Sequence, residues 1–361
     1  MTTATKPIGH TYRGNHPRTT AELLDWHEQV QAAQVLDPEL VIVDAHHHLF
    51  GDCDTPVRYE LDDLCRDLNT GHRVSATVYV EAYGSGWRTL GPQAYRPIGE
   101  IEKIIDLTVL PLGLRTGACQ VAAGIVSSVD LRLNDGLDAL LEAHVHAAQG
   151  RLRGVRQHTA WVEGAVGSLI TEPPPPMLMQ DAAYRYGVRQ LARFGLSVDV
   201  TAYHTQLDDL ASLADACADT RIIVNHIATP IGVAEFAGRR QPVFDAWRAG
   251  MRRLAQRPNV AVKIGGMGMA VFGFGFENGP TPAHAAQLAR AWQPYIDECI
   301  AAFGTKRCLL ESNFPVDKNS ASYIEVWNAF KLATQSLSTD EKADLFHRSA
   351  CEIYRLPAVA A

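Results

Sequence analysis

The sequence predicts an α/β protein folded as a (β/α)8 barrel with an N-terminal extension. Three observations predict it. Eight short apolar, β-branched runs recur along the 361 residues, amphipathic helical patterns fill gaps between them, and seven of the eight runs deliver polar or titratable side chains at their C-terminal ends. Strand–helix alternation repeated eight times closes a parallel sheet on itself. An open doubly wound sheet is the alternative. It calls for a Gly-rich phosphate loop after an early strand, and here the first run is followed by Asp44-Ala45-His46-His47-His48.

The elements follow in order. Residues 1–38 read as an arm with a short helix, and 39–361 as the barrel domain. Thr20, or Thr19 before it, caps a helix through Glu22–Ala33 that stops at Asp37-Pro38. The runs are Val41–Val43, Ala76–Val80, Val121–Val126, Leu152–Val155, Leu196–Val200, Arg221–Val224, Val260–Ile264 and Cys308–Leu310. Their starts lie 25 to 48 residues apart, enough for a helix in each gap. Apolar residues at three- and four-residue intervals predict helices over Asp138–Ala148, Tyr184–Phe194, Leu207–Ala218, Val243–Gln256 and Ala286–Phe303. Two more follow the last run, Ala321–Ala333 and Thr339–Tyr354, the second capped by Ser338 or Thr339.

Composition narrows the function classes. With 47% hydrophobic and 20% charged residues the chain has ordinary globular balance, which excludes a disordered protein. The net charge is −7 and no Lys/Arg block stands out, so neither nucleic acid nor an acidic membrane has an electrostatic footprint. Seven cysteines, an odd number without a C-x-x-C pair, argue against a disulfide scaffold or zinc ribbon. Met1–Thr20 lacks the apolar centre of a signal peptide, and the uncharged run Ile264–Phe276 is far short of the ~20 residues of a membrane span. A cytoplasmic protein with a small-molecule partner is expected. The polar arm also offers a route to a homo-oligomer.

The strand ends carry the chemistry. Six of the 14 histidines fall there, a concentration that polar loops alone do not explain. His46 and His48 are two apart on a strand, so both side chains share one face and His47 takes the other. Such a pair suits a divalent metal such as zinc, or else closes the barrel mouth as hydrogen-bonded imidazoles. Glu81 ends the second run, Arg156-Gln157-His158 the fourth, and Asp199 then Tyr203-His204 the fifth. Asn225-His226 ends the sixth, Lys263 lies in the seventh, and Glu311-Ser312-Asn313 ends the eighth. Arg153, Arg156 and Lys263 offer charge for a carboxylate-bearing substrate, or pair internally with Glu81, Asp199 or Glu311. Arg153 should face away from Arg156. The Gly- and Phe-rich stretch Met267–Phe276 reads as a lid over an apolar substrate portion or as a packed rim loop. Cys119 and Cys308 lie in apolar runs and read as core.

Several of these motifs together resemble one family. Val43-Asp44-Ala45-His46-His47-His48-Leu49, Arg153-Gly154-Val155-Arg156, Asn225-His226, Val262-Lys263-Ile264-Gly265-Gly266, Glu311 through Asp317 and the Ile353-Tyr354-Arg355-Leu356 tail look like the amidohydrolase-related barrels. That family groups hydrolases, sugar- and pyrone-lactonases and some decarboxylases. The likeness spans roughly residues 40–356 and is strongest to the lactonase-like branch. It implies His46 and His48 as a metal pair, His204 in the region of a third ligand, and His226 as a group that polarises substrate or transfers protons. By their strand-end positions Arg156, His158, Tyr203 and Lys263 are expected around the substrate. Metal-dependent members carry an Asp at the last strand end, where this chain has Asn313. A carboxamide is a poor metal ligand and cannot take a proton as a carboxylate does.

Two arrangements follow. Either histidines and water hold the metal while another group is the base, or the cluster binds substrate with no metal. Glu81 and His226 are the base candidates, and Asp317, four residues beyond Asn313, is set aside. The expected reaction is water attack on a small cyclic ester or amide, a lactone favoured. The alternatives are non-oxidative decarboxylation of an aromatic or unsaturated acid and a barrel that binds a ligand without turning it over.

Overall fold

The computed structural model describes residues 12, 14, 17–31, 33–51, 55–170 and 172–357. The arm before residue 12 and Cys53 lie outside them. The described strands are β1 (Ile42–His47), β2 (Val74–Val80), β3 (Leu112–Leu114), β4 (Gly117–Ser128), β5 (Leu152–Arg156), β6 (Ser197–Val200), β7 (Ile222–Val224), β8 (Val260–Ile264) and β9 (Cys308–Leu310). All but β3 lie parallel in the order β1-β2-β4-β5-β6-β7-β8-β9. β3 is an antiparallel arm on the start of β4. The ring closes beyond β9, where Asn313 N donates to His46 O at 2.9 Å and His48 N to Phe314 O at 2.8 Å. This is the (β/α)8 barrel of eight parallel strands that the alternation predicts.

The helices are α1 (Thr20–Glu28), α2 (Leu61–Leu68), α3 (Ile98–Leu107), α4 (Leu137–Ala147), α5 (Ala182–Leu191), α6 (Leu207–Ala216), α7 (Arg240–Leu254), α8 (Ala285–Phe303), α9 (Tyr323–Ala333), α10 (Thr339–Ala343) and α11 (Ser349–Ile353). Sequence patterning passes over α2, α3 and β3. It also runs α10 and α11 together, which a wider helical turn over 344–348 separates. None of the described helices is long and apolar enough to cross a membrane.

α1 ends at Glu28, short of the expected Ala33, because the chain beyond it bonds to α9 through its backbone. Asn328 accepts from Leu36 N and donates to Gln34 O, and Lys331 Nζ donates to the carbonyls of Leu36 and Asp37. Thr19 is the cap, in a reciprocal box with Glu22. That frees the Thr20 hydroxyl to bond both the N–H and the carbonyl of Arg58 at 2.8 Å. Trp26 Nε1 donates to Pro280 O at 3.1 Å, and His27 Nε2 to Lys318 O at 2.7 Å. α1 therefore lies on its own barrel, tying together the loops after β1, β8 and β9.

Inside the ring, Val43, Ala45, Val78, Val80, Val126, Ile223, Ala261 and Leu309 form one apolar cluster. Ala350, Ile353, Tyr354 and Leu356 of the C-terminal tail join it and plug the N-terminal end. A strand's period of two brings the next inward residue to the same face. Two positions beyond Gly154, Ser197, Ala261 and Leu309 stand Arg156, Asp199, Lys263 and Glu311. The apolar floor thus gives way to a charged layer below the C-terminal rim.

Candidate active site

The charged layer is internally paired. Lys263 Nζ donates to Asp199 Oδ2 at 2.7 Å, and the Tyr354 hydroxyl reaches the same oxygen at 2.7 Å from the opposite end of the barrel. All three side chains are fully buried. Arg156 Nε donates to Glu81 Oε1 at 2.6 Å and Nη2 to the Glu81 carbonyl at 2.7 Å. Of the two readings open for these cations, internal pairing describes both. Arg156 still lines a cleft of about 660 Å³ with Glu81, His48, Tyr83 and Lys103. Arg153 lies away from Arg156, bonded to the carbonyls of Gly150 and Leu152.

Above this layer three imidazoles meet. His46 Nε2 is 3.0 Å from His48 Nε2, and the His46 and His226 ring centroids are 4.7 Å apart. His48 Nδ1 lies 2.8 Å from Val80 O. A carbonyl only accepts, so Nδ1 carries the proton and Nε2 keeps its lone pair. His226 Nδ1 donates in the same way to Glu311 Oε1 at 2.7 Å, a pair joined by the His226 backbone N–H at 3.2 Å. His47 faces the other way, onto Thr77 Oγ1. Burial above all, then Lys263 for His46 and Arg156 for His48, holds both imidazoles well below their ordinary pKa and hence neutral.

These donors fit a divalent cation. One ligand atom from each of His46, His226 and Glu311 lies within 4.8 Å of the others, and His48 Nε2 adjoins the group. Glu311 Oε2 comes within 2.9 Å of His46 Nδ1 but lacks hydrogen-bond alignment, leaving a buried carboxylate oxygen unsatisfied. Neutral imidazoles and such an oxygen are what zinc-type ions take.

The remaining candidates are placed as follows. His204 stands apart: its Nδ1 accepts from Ile231 N at 3.3 Å and its ring lies edge-on to Phe236. His158 lies near Arg156 and His226, and burial chiefly, with those two charges, lowers its pKa to about 4. Tyr203 is buried, its phenol pushed up to about 12 by burial. Asn313 has its amide Nδ2 on Asp317 Oδ1 at 2.8 Å. Asp317, set aside on sequence distance, is therefore in direct contact with that position. Burial raises its pKa well above the carboxylate range. Glu81 Oε2 has no hydrogen-bond partner, and burial raises its pKa despite Arg156 beside it. Met267, Met269, Val271 and Phe272 are buried, so the loop after β8 is packed.

Backbone strain presents this site. His226, Ile227, Ala228 and Thr229 have consecutive positive φ values of 52°, 50°, 54° and 26°, and Asn313 has 54°. A β-branched residue in this region is an outlier of the kind found at functional sites. Facing glycines make room. A Cβ on Gly266 would sit 2.4 Å from His226 Nδ1, and one on Gly265 2.3 Å from Glu311 Cγ. Sequence reasoning noted Glu311 as a strand end and as a partner for a buried cation, not for the histidines. Its hydrogen bond to His226 depends on these turns.

Comparison with known proteins follows the same boundaries. The amidohydrolase family model matches residues 43–356. The uncharacterized protein y4mH of Sinorhizobium fredii is 37% identical over 234 residues, 64% of this chain and 70% of that protein. L-fucono-1,5-lactonase of Burkholderia multivorans is 28% identical over 256 residues, 71% and 78% of the two chains. A Burkholderia multivorans amidohydrolase solved with bound zinc shares the fold, with a TM-score of 0.66 and 23% identity over 88% of this chain and 100% of that one. A match running from β1 to the tail beyond α11 makes this chain a member of the amidohydrolase family.

Proposed function

We propose that the protein hydrolyses a small cyclic ester, a lactone, at the C-terminal rim of the barrel. The observation that carries this reading is the meeting of His46, His48 and His226 with Glu311 beside a cleft lined by Glu81, whose Oε2 lacks a partner. The likeness to L-fucono-1,5-lactonase supports the lactone class, and zinc in the Burkholderia multivorans amidohydrolase supports a divalent cation. His46 and His48, with Glu311, would hold that ion, with zinc the preferred identity. A cation there supplies positive charge for an oxyanion developing on the substrate carbonyl.

The chain's own residues do the rest. Glu81 is the base: Oε1 is fixed by Arg156, and Oε2 accepts the proton of the attacking water. The water oxygen bonds to the carbonyl carbon, the ring C–O bond breaks, and the proton held by Glu81 passes to the leaving oxygen. His226 orients the water through Nε2, its tautomer set by Glu311. Asn313, tied to Asp317, is a neutral hydrogen-bonding wall. Arg156, with His158 and Tyr203, borders the substrate and makes a carboxylate-bearing one suitable. Lys263 acts from below, paired with Asp199 and 3.4 Å from His46 Nδ1.

A panel of sugar and aromatic lactones, with product mass as readout, tests the proposal. Gain of one water without loss of carbon is expected, with Glu81→Gln slower by 10²-fold or more. Carbon dioxide release from aromatic acids, or return of every lactone unchanged, overturns it.

A further inference from the structure

A second cleft, of about 680 Å³, opens at the N-terminal end of the strands, away from the imidazoles. Arg73, Arg151 and Arg153 line it, and its described lining contains no Asp or Glu. Elsewhere Arg58, Arg88, Arg132, Arg193, Arg252 and Arg257 close on carboxylates, while Arg185, Arg240 and Arg307 are spread singly over neutral oxygens. The cleft arginines meet only neutral oxygens. Arg151 bonds Thr108, Ala122 and Ile105, and Arg153 Nη1 bonds the carbonyls of Gly150 and Leu152. Arg73 reaches the Glu39 carbonyl at 3.5 Å. The Arg153 Nε is buried with no hydrogen-bond partner. Partial burial lowers the pKa of Arg151 and Arg153, and Arg355 adds repulsion to Arg153.

Uncompensated cations in a concave, partly dehydrated wall focus their field on the space they enclose. That they stand together in a chain of net charge −7 is the more telling. Guanidinium forks match planar oxyanions, and the rest of the lining sets apolar Val109, Pro111 and Pro357 among neutral polar Ser75, Thr116 and Gln120. We propose that this cleft binds a small organic carboxylate, its charged end on Arg153 and Arg73 and its apolar body on Val109 and Pro111. The site is separate from the catalytic rim and stands whether or not the lactone reading does.

The probe is 4-bromobenzoate, titrated calorimetrically into the full-length protein at low ionic strength, with inorganic phosphate and chloride as controls. Saturable binding is expected, weakened at least tenfold by Arg153→Gln and severalfold by Arg73→Gln, and retained in Arg156→Gln at the other end. Crystals grown with the probe should show anomalous bromine signal in the cleft. Circular dichroism checks each variant. If Arg153→Gln does not fold, Arg73→Gln and the bromine position decide. Binding no tighter than chloride, binding indifferent to both cleft variants, or bromine only at the catalytic rim overturns the proposal. Phosphate binding as tightly as bromobenzoate overturns the organic part of it.

Discussion

Gly266→Ala, set against Gly195→Ala, separates backbone strain from contact at the imidazole group. The two glycines have almost the same left-handed φ, +65° and +64°. An added Cβ at Gly195 meets nothing within 4 Å, while at Gly266 it lands 2.4 Å from His226 Nδ1. Forcing a side chain into this conformation costs roughly 1–2 kcal/mol at either site. At Gly266 the His226 ring must also move, loosening its 2.7 Å bond to Glu311, and a buried bond to a charged group contributes about 1.5–3 kcal/mol. The sums are about 1–2 kcal/mol for Gly195→Ala and about 2.5–5 kcal/mol for Gly266→Ala. Unfolding entropy near ~2.1 cal/mol/K per residue over 361 residues is about 0.76 kcal/mol/K. Calorimetric melting should then fall by about 2 °C in the first variant and about 5 °C in the second, with lactone turnover lost only in the second. Equal melting shifts with equal activities would refute the close-packing argument.

Three further outcomes follow, two from the buried charged layer and one from His144 of α4, which is buried against Ser127. Lys263→Met strands Asp199 without its cation and should destabilise the fold by about 3–5 kcal/mol in urea unfolding, with Asp199→Asn in the same chain recovering much of the loss. A loss below 1 kcal/mol would mean the pair is not buried as described. Tyr354→Phe removes one hydrogen bond to that carboxylate and should cost about 1.5–3 kcal/mol in the same assay, against no measurable change if the tail does not reach Asp199. Acid should also weaken the protein through His144. Burial, then Arg88, lowers its pKa from 6.5 to about 4, so its contribution is complete above pH 6.5 and lost as pH falls through 4. At ~1.4 kcal/mol per pH unit that is up to about 3 kcal/mol. His144→Gln should flatten the unfolding profile between pH 7 and 4 by this amount, and parallel profiles would count against it.

The barrel was legible because its strands are buried on both faces and therefore read as apolar β-branched runs. β8 and β9 begin and end where the runs do. Other elements hide for local reasons. α3 carries Gly99 in its first turn, where a Cβ would strike the Gly86 carbonyl at 2.6 Å, so tertiary contact sets a residue that weakens the helical pattern. β3 is three residues long, too short for a period to show. His46 and His48 were legible as partners because alternation alone puts them on one face. Their contact with His226 was not, since it depends on four residues of positive φ after β7 that no pattern announces. His204 illustrates the converse: its strand end was right, but the side chain is held by Ile231 and Phe236.

Zinc titration of metal-stripped protein, followed by calorimetry and elemental analysis, tests the imidazole group most directly. One tightly held equivalent is predicted, with affinity falling at least 10²-fold in both His46→Ala and His48→Ala while Arg73→Gln binds normally. Protein that takes up no zinc, or takes it up equally well without those imidazoles, would contradict a shared donor group at the mouth of the barrel.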